Sequence, residues 1–153
     1  MKLAEALILR ADHQKRLAQI QTRVQRVAKI QEGDKPAEDP KALLAEFERV
    51  ADELTDLIQR INRTNATTLL DDRQSLSDAL AVRDMLATRH AAYRELAAAA
   101  TIEIARYMRT EVKFRSTVDP GALQRQADDV ARRHRELDAR IQQANWLTEL
   151  VER

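Results

Sequence analysis

The three histidines of this 153-residue chain, His13, His90 and His134, are its residues best suited to ligate a transition metal or relay a proton. A di-iron carboxylate bundle would pair each with a glutamate three positions earlier on the same helix face. Those positions hold Arg10, Ala87 and Ala131, so the spacing predicts packed or half-exposed histidines. Glu53 and Asp56 have the i, i+3 spacing with which helical nucleotide pyrophosphatases hold magnesium. Yet 25 acidic residues in 153 positions give roughly four such pairs by chance, because that spacing puts any two charges on one solvated face. Nucleophilic chemistry has no frame either. Cysteine is absent, serines are few, and neither Gly-x-Ser-x-Gly nor a Gly-rich phosphate loop occurs. No catalytic residue, no metal ligand and no cofactor is expected.

Arg132, Arg133, Arg135 and Arg140 form the densest basic run, but Asp128, Asp129, Glu136 and Asp138 interleave with it at helical pairing distance. This reads as a salt-bridged, solvated face, and no strong nucleic-acid signal remains. The stretch 106–115, with Lys113, Tyr107 and Phe114, is where basic and aromatic residues mix without dense acid, a candidate for an anion or nucleic-acid contact.

More telling are polar residues that interrupt apolar helix faces, since each must find a partner or lose about 1–3 kcal/mol. Arg10 lies seven after Leu3 and seven before Leu17, and Arg83 seven after Leu76. Asn65 lies four after Ile61, and Asn145 four after Ile141. All four are expected to point inward.

The elements that would position them follow from the breakers. Gly33, Pro36 and Pro40 cluster in one place, and Pro120 with Gly121 in another. Asp39-Pro40 and Asp119-Pro120 combine an N-capping acid with proline at the first helical position. Ser75-Leu76-Ser77-Asp78 reads as a capping box after the polar stretch 65–74. Four helices result, near 2–32, 40–65, 75–110 and 120–151, in one domain. The first shows Leu17, Ile20, Val24 and Val27 on its apolar face; the second Phe47, Val50, Leu54, Leu57 and Ile61. The third shows Leu86, Tyr93, Leu96, Ala100 and Ile104, and the fourth a coiled-coil-like seam of Leu123, Ala127, Val130, His134, Leu137, Ile141 and Ala144. The expected fold is all-α, an antiparallel four-helix bundle. In that topology Arg10, Asn62, Asn65, Arg83 and Asn145 converge at one end with Trp146 beside them. They form either a register-fixing polar network, with Arg83 paired to Asp84 or Asp78, or a pocket for a small anionic ligand such as a carboxylate or phosphate.

Composition agrees with long helices. Hydrophobic residues make up 44%, aromatics only 3% and charged residues 33%, with two Gly and three Pro. A net charge of +1 gives no global field for nucleic acid or anionic membrane. Glu5 and Arg10 interrupt any apolar export signal, and no run of about 18 apolar residues could span a bilayer. A cytoplasmic location is expected. A thin bundle with seams of Ala, Val and Leu leaves apolar stripes for another copy to cover, so a homo-oligomer is expected.

Several separated strings carry a resemblance to a family of small bacterial helical proteins labelled septicolysin. They are Lys2-Leu3-Ala4-Glu5-Ala6-Leu7, Gln31-Glu32-Gly33-Asp34, Pro36-Ala37-Glu38-Asp39-Pro40, Ile61-Asn62-Arg63-Thr64-Asn65, Asp78-Ala79-Leu80-Ala81 with Arg83-Asp84, Lys113-Phe114, Ser116-Thr117-Val118-Asp119, and Ile141-Gln142 with Asn145-Trp146. The resemblance implies a helical fold and, through the label, a pore-forming cytolysin. The residues themselves point first to a non-enzymatic binding or assembly protein, with a small-ligand or metal-dependent enzyme at the polar end as a further alternative.

Overall fold

A computed structural model describes residues 1–102 and 113–152. The described chain is mostly helical: α1 (Leu3–Val27), α2 (Pro40–Thr67), α3 (Leu76–Ala100) and α4 (Pro120–Leu147). A two-stranded sheet of β1 (Leu69–Asp71) and β2 (Gln74–Ser75) precedes α3. By its internal contacts the chain divides into two compact units. One comprises Met1–Leu69 and Gln142–Arg153, the other Leu70–Ile141.

In the first unit, Asp39 starts α2 as its sequence requires. Its Oδ1 accepts the Lys41 N–H at 3.0 Å, and Pro40 occupies the first turn. Ile20 and Val27 of α1 pack with Leu43 and Val50 of α2, flanked by Leu17, Val24 and Phe47. Two ion pairs on this contact, Arg16 with Glu46 and Arg23 with Glu38, run in opposite sequence directions, so the two helices are antiparallel. α1 ends at Val27 rather than near 32. Val27 is its last residue in the core, and the chain must leave the helix there for Glu38 to return to Arg23. Gly33 then takes a left-handed backbone, φ 91°, beside the turn closed by Asp34 N–H on the Gln31 carbonyl.

The stretch 65–74, expected to be only a polar connection, holds the hairpin. The Asp71 Oδ1 accepts the Arg73 and Gln74 N–H groups at 3.0 and 3.1 Å, folding the two-residue turn around its own side chain. Ser75 and Asp78 then form the expected capping box: Ser75 Oγ accepts the Asp78 N–H and Asp78 Oδ2 accepts the Ser75 N–H. Asp119 caps α4 through the Gly121 and Ala122 N–H groups. Ala79 and Leu86 of α3 pack with Val130, Leu137 and Ile141 of α4. One member of the expected α3 face departs: Leu96 is 45% exposed and Ala97 is buried in its place. α3 ends at Ala100, short of 110, and Ile104 lies outside the described residues.

Candidate functional site

A dense polar construction lies in the first unit, where residues 1–3 meet residues 147–151. Lys2 and Glu149 form an antiparallel bridge. The Leu3 N–H donates to the Thr148 carbonyl and the Leu150 N–H to the Met1 carbonyl, both at 2.9 Å. Glu149 collects two cations, Lys2 Nζ at 2.6 Å and the N-terminal ammonium at 3.2 Å. The Lys2 hydrogen bond foremost, and then the ammonium, hold its carboxyl below the usual carboxylate range. Lys2 Nζ also reaches the Leu147 carbonyl at the end of α4.

Beyond this bridge, α2 grips the peptide groups of Val151. Thr64, fully buried, donates from Oγ1 to the Arg60 carbonyl at 2.8 Å and accepts the Val151 N–H at 3.0 Å. Arg60 Nε donates to the Val151 carbonyl at 3.1 Å. Sequence reasoning missed these partners because Thr64 and Arg60 look like an ordinary helical threonine and arginine. A signal did exist: Thr64 lies three after Ile61 and seven after Leu57, on the buried face where a polar side chain needs company.

The polar residues singled out from the sequence are placed as follows. In the first unit Asn145 is buried, Arg10 and Asn65 are half-buried, and Asn62 and Trp146 are exposed. Among the described residues, Arg10 Nε is the one fully buried side-chain nitrogen or oxygen without a hydrogen-bond partner. Arg83 belongs to the second unit. There its guanidinium holds Asp138 at 3.0 Å and Asp84 at 3.2 Å.

The basic run of α4 resolves as a paired face in part. Arg132 bonds Asp129 and Glu136, one turn to either side. Arg140 instead reaches back to Asp71 Oδ2 at 2.8 Å. That bond, followed by the turn's own N–H groups, keeps the Asp71 carboxyl below its ordinary range and ties the hairpin to α4. Most of the stretch 106–115 lies outside the described residues.

His13 is half-buried and lines a cleft of ≈ 360 Å³ between α1 and α2 with Leu9, Asp52, Glu53, Leu57 and Arg60. Glu53 is paired with Arg49, and Asp56 at the same cleft lies 3.9 Å from Arg60. His90 and His134 are half-buried in the second unit. Among the described residues no group of three or more histidine or carboxylate side chains is placed to hold a metal ion. No described helix is long and apolar enough to cross a membrane.

Comparison with known proteins overturns the septicolysin resemblance. A family model described as Family of unknown function (DUF6847) matches residues 10–150. A crystal structure of a functionally unknown conserved protein from Corynebacterium diphtheriae is 42% identical, with a TM-score of 0.93 over 99% of each chain. No curated protein matches. Neither description carries a cytolysin label. Two of the strings quoted above contain helix caps, Asp39 before α2 and Asp119 before α4, a residue type that helix starts commonly share.

Proposed function

The chain belongs to the family of unknown function DUF6847, and from that premise we propose a non-enzymatic helical binding or assembly protein, an antiparallel four-helix bundle that self-associates and holds a small anion. The anion site draws on Arg10, Asn62, Asn65, Asn145 and Trp146, all of the first unit. Arg83 is left out, because two carboxylates already occupy its guanidinium.

The observation that carries this reading is Arg10 Nε, buried and without an acceptor. A buried N–H left unpaired costs about 1–3 kcal/mol, and more on a charged group. A carboxylate or phosphate oxygen is the acceptor that a guanidinium N–H binds best. Asn145 adds an amide that is only 6% exposed and makes no hydrogen bond among the described residues.

Titration of phosphate, sulfate and acetate, followed by calorimetry and by the emission of Trp146, the single tryptophan, tests the reading. Saturable binding of at least one anion is expected, abolished in Arg10→Met and retained in Arg83→Met. Absence of saturation up to about 10 mM, which corresponds to under 3 kcal/mol of binding, would remove the anion site, as would wild-type affinity in Arg10→Met.

A further inference from the structure

Within the second unit a groove of ≈ 440 Å³ runs between α3 and α4, with Tyr93 on the α3 side and Arg125, Gln126, Asp129 and Arg133 on the α4 side. Helical spacing builds the α4 wall. Residues 125, 129 and 133 recur every four positions, so their side chains stand one above the other on one face. Tyr93 is half-buried and packs against the core that α3 and α4 share.

The charges at this groove are unevenly matched. Its carboxylate, Asp129, is held by Arg132 at 2.6 Å. At the other end Arg125 is turned back toward the start of α4, where a Cβ on Gly121 would meet Arg125 Nη1 at 3.5 Å and Asp119 Oδ1 at 3.3 Å. That Asp119 oxygen is already spent on the Gly121 and Ala122 N–H groups. Tyr93, Arg125, Gln126 and Arg133 have no hydrogen bond or ion pair among the described residues. All four can donate and two are cations, so the complement of the groove is an anion.

The spacing of the two arginines says which kind. They lie eight residues apart, a rise of about 12 Å, so phosphate, sulfate or acetate reaches only one of them. Between them stand Tyr93 and Val130, with Asp129 to repel any charge placed midway. We propose that the groove binds an elongated organic dianion, with an acidic group at each end about 12 Å apart and an uncharged body lying along Tyr93. Arg125 and Arg133 each hold one end, as carboxylate or phosphate, in the forked geometry a guanidinium offers to both. The site belongs to the second unit and does not rest on Arg10, which belongs to the first.

Calorimetry tests this with sebacate and octanediol bisphosphate, whose charged ends span roughly the rise between the arginines. Decanoate, with one charged end, and glutarate, too short to bridge, serve as controls. Sebacate, the bisphosphate or both should saturate the protein below about 10 mM, the controls binding at least ~10-fold more weakly; the better of the two long dianions identifies the preferred end group. Arg125→Gln and Arg133→Gln, at exposed positions, should each keep the helix content and weaken the better dianion at least ~5-fold. Asp129→Asn should tighten it, and Arg10→Met should leave it unchanged. Saturation by neither long dianion would overturn the site, as would wild-type affinity in both arginine variants or loss of binding in Arg10→Met. Decanoate or glutarate binding as tightly as the better dianion would overturn two-ended recognition, and weaker binding in Asp129→Asn would overturn the placing of an uncharged body beside that carboxylate. The Arg10 site is judged separately, by the small anions that cannot span this groove.

Discussion

α2 and α3 are neighbours in sequence, and each packs on another helix of its own unit, yet they finish their surfaces differently. α2 buries Leu43, Val50, Leu54, Leu57, Ile61 and Thr64 on one side. Its other sides carry charges with local partners, such as Arg49 with Glu53 and Arg16 of α1 with Glu46. Its one fully buried hydroxyl, that of Thr64, is satisfied as both donor and acceptor. α3 buries Leu76, Ala79, Leu86 and Ala97, two of them only alanines, and leaves an outer line of Val82, Met85 and Leu96 exposed. A finished amphipathic helix accounts for itself within its unit. An unfinished one points outward, to something that would cover it.

Truncations should separate the two helices most sharply. Ile20→Ala, at a position only 1% exposed in the α1–α2 core, is expected to cost about 2–5 kcal/mol in denaturant melts. Leu96→Ala on the outer line of α3 should change the stability of the dilute monomer by less than about 0.5 kcal/mol. A loss at Leu96 comparable to that at Ile20 would break the distinction.

A smaller effect is expected at the clasp. Thr64→Val keeps the shape but strands the Val151 N–H, and should cost about 1–3 kcal/mol. Hydrogen exchange at Val151 should accelerate alongside; a neutral result would mean that water replaces the hydroxyl and that the C-terminal segment is held by its backbone bridge alone. Arg83→Met comes next. Its two carboxylate partners, Asp84 and Asp138, are themselves part-exposed, so a loss of about 1 kcal/mol is expected, and a double-mutant cycle with Asp138→Asn should recover the coupling.

The smallest effect is set by pH. Asp71, Glu149, Glu38 and Glu46 all sit below the usual carboxylate range, held foremost by hydrogen bonds from Arg140, Lys2, Arg23 and Arg16 respectively. A carboxylate whose folded pKa is depressed contributes stability that is present above its unfolded value and lost as pH falls through the folded one. Melting temperature should therefore be flat near neutrality and fall only in the acid range. Asp71→Asn should blunt the part of that fall belonging to the hairpin, without moving the part belonging to Glu149.

The starts of three helices were legible because Asp39-Pro40, Ser75 with Asp78, and Asp119-Pro120 write their caps within four residues. Seams were legible where one face alone is apolar: Val50, Leu54, Leu57 and Ile61 in α2, and Ala127, Val130, Leu137 and Ile141 in α4, are all buried. In α3 apolar residues occur all round, so spacing fixed no single phase, and Leu96 was grouped with Leu86 although it lies on the outer line. Helix ends were poorly legible. The end of α1 is set by where its core partner on α2 runs out and by Glu38 returning to Arg23, both of them contacts distant in sequence. The hairpin 69–75 has too few residues to show a strand period; its signal is the Asx turn of Asp71. At the candidate site, the polar residues on apolar faces could be picked out singly. Their partners could not, because the antiparallel bridge joins residues 2 and 149.

Two methionines offer the most direct test of the claim that α3, unlike the first unit, has an unfinished face. Met1 and Met85 are almost equally exposed, at 49% and 52%, one at the terminal clasp and the other on the outer line of α3. With methyl-labelled methionine, raising the protein concentration from about 5 to 500 μM, across the range where weak pairing is populated, should shift or broaden the Met85 signal and leave Met1 unmoved. Two signals that stay fixed together, or that move together, would contradict the account.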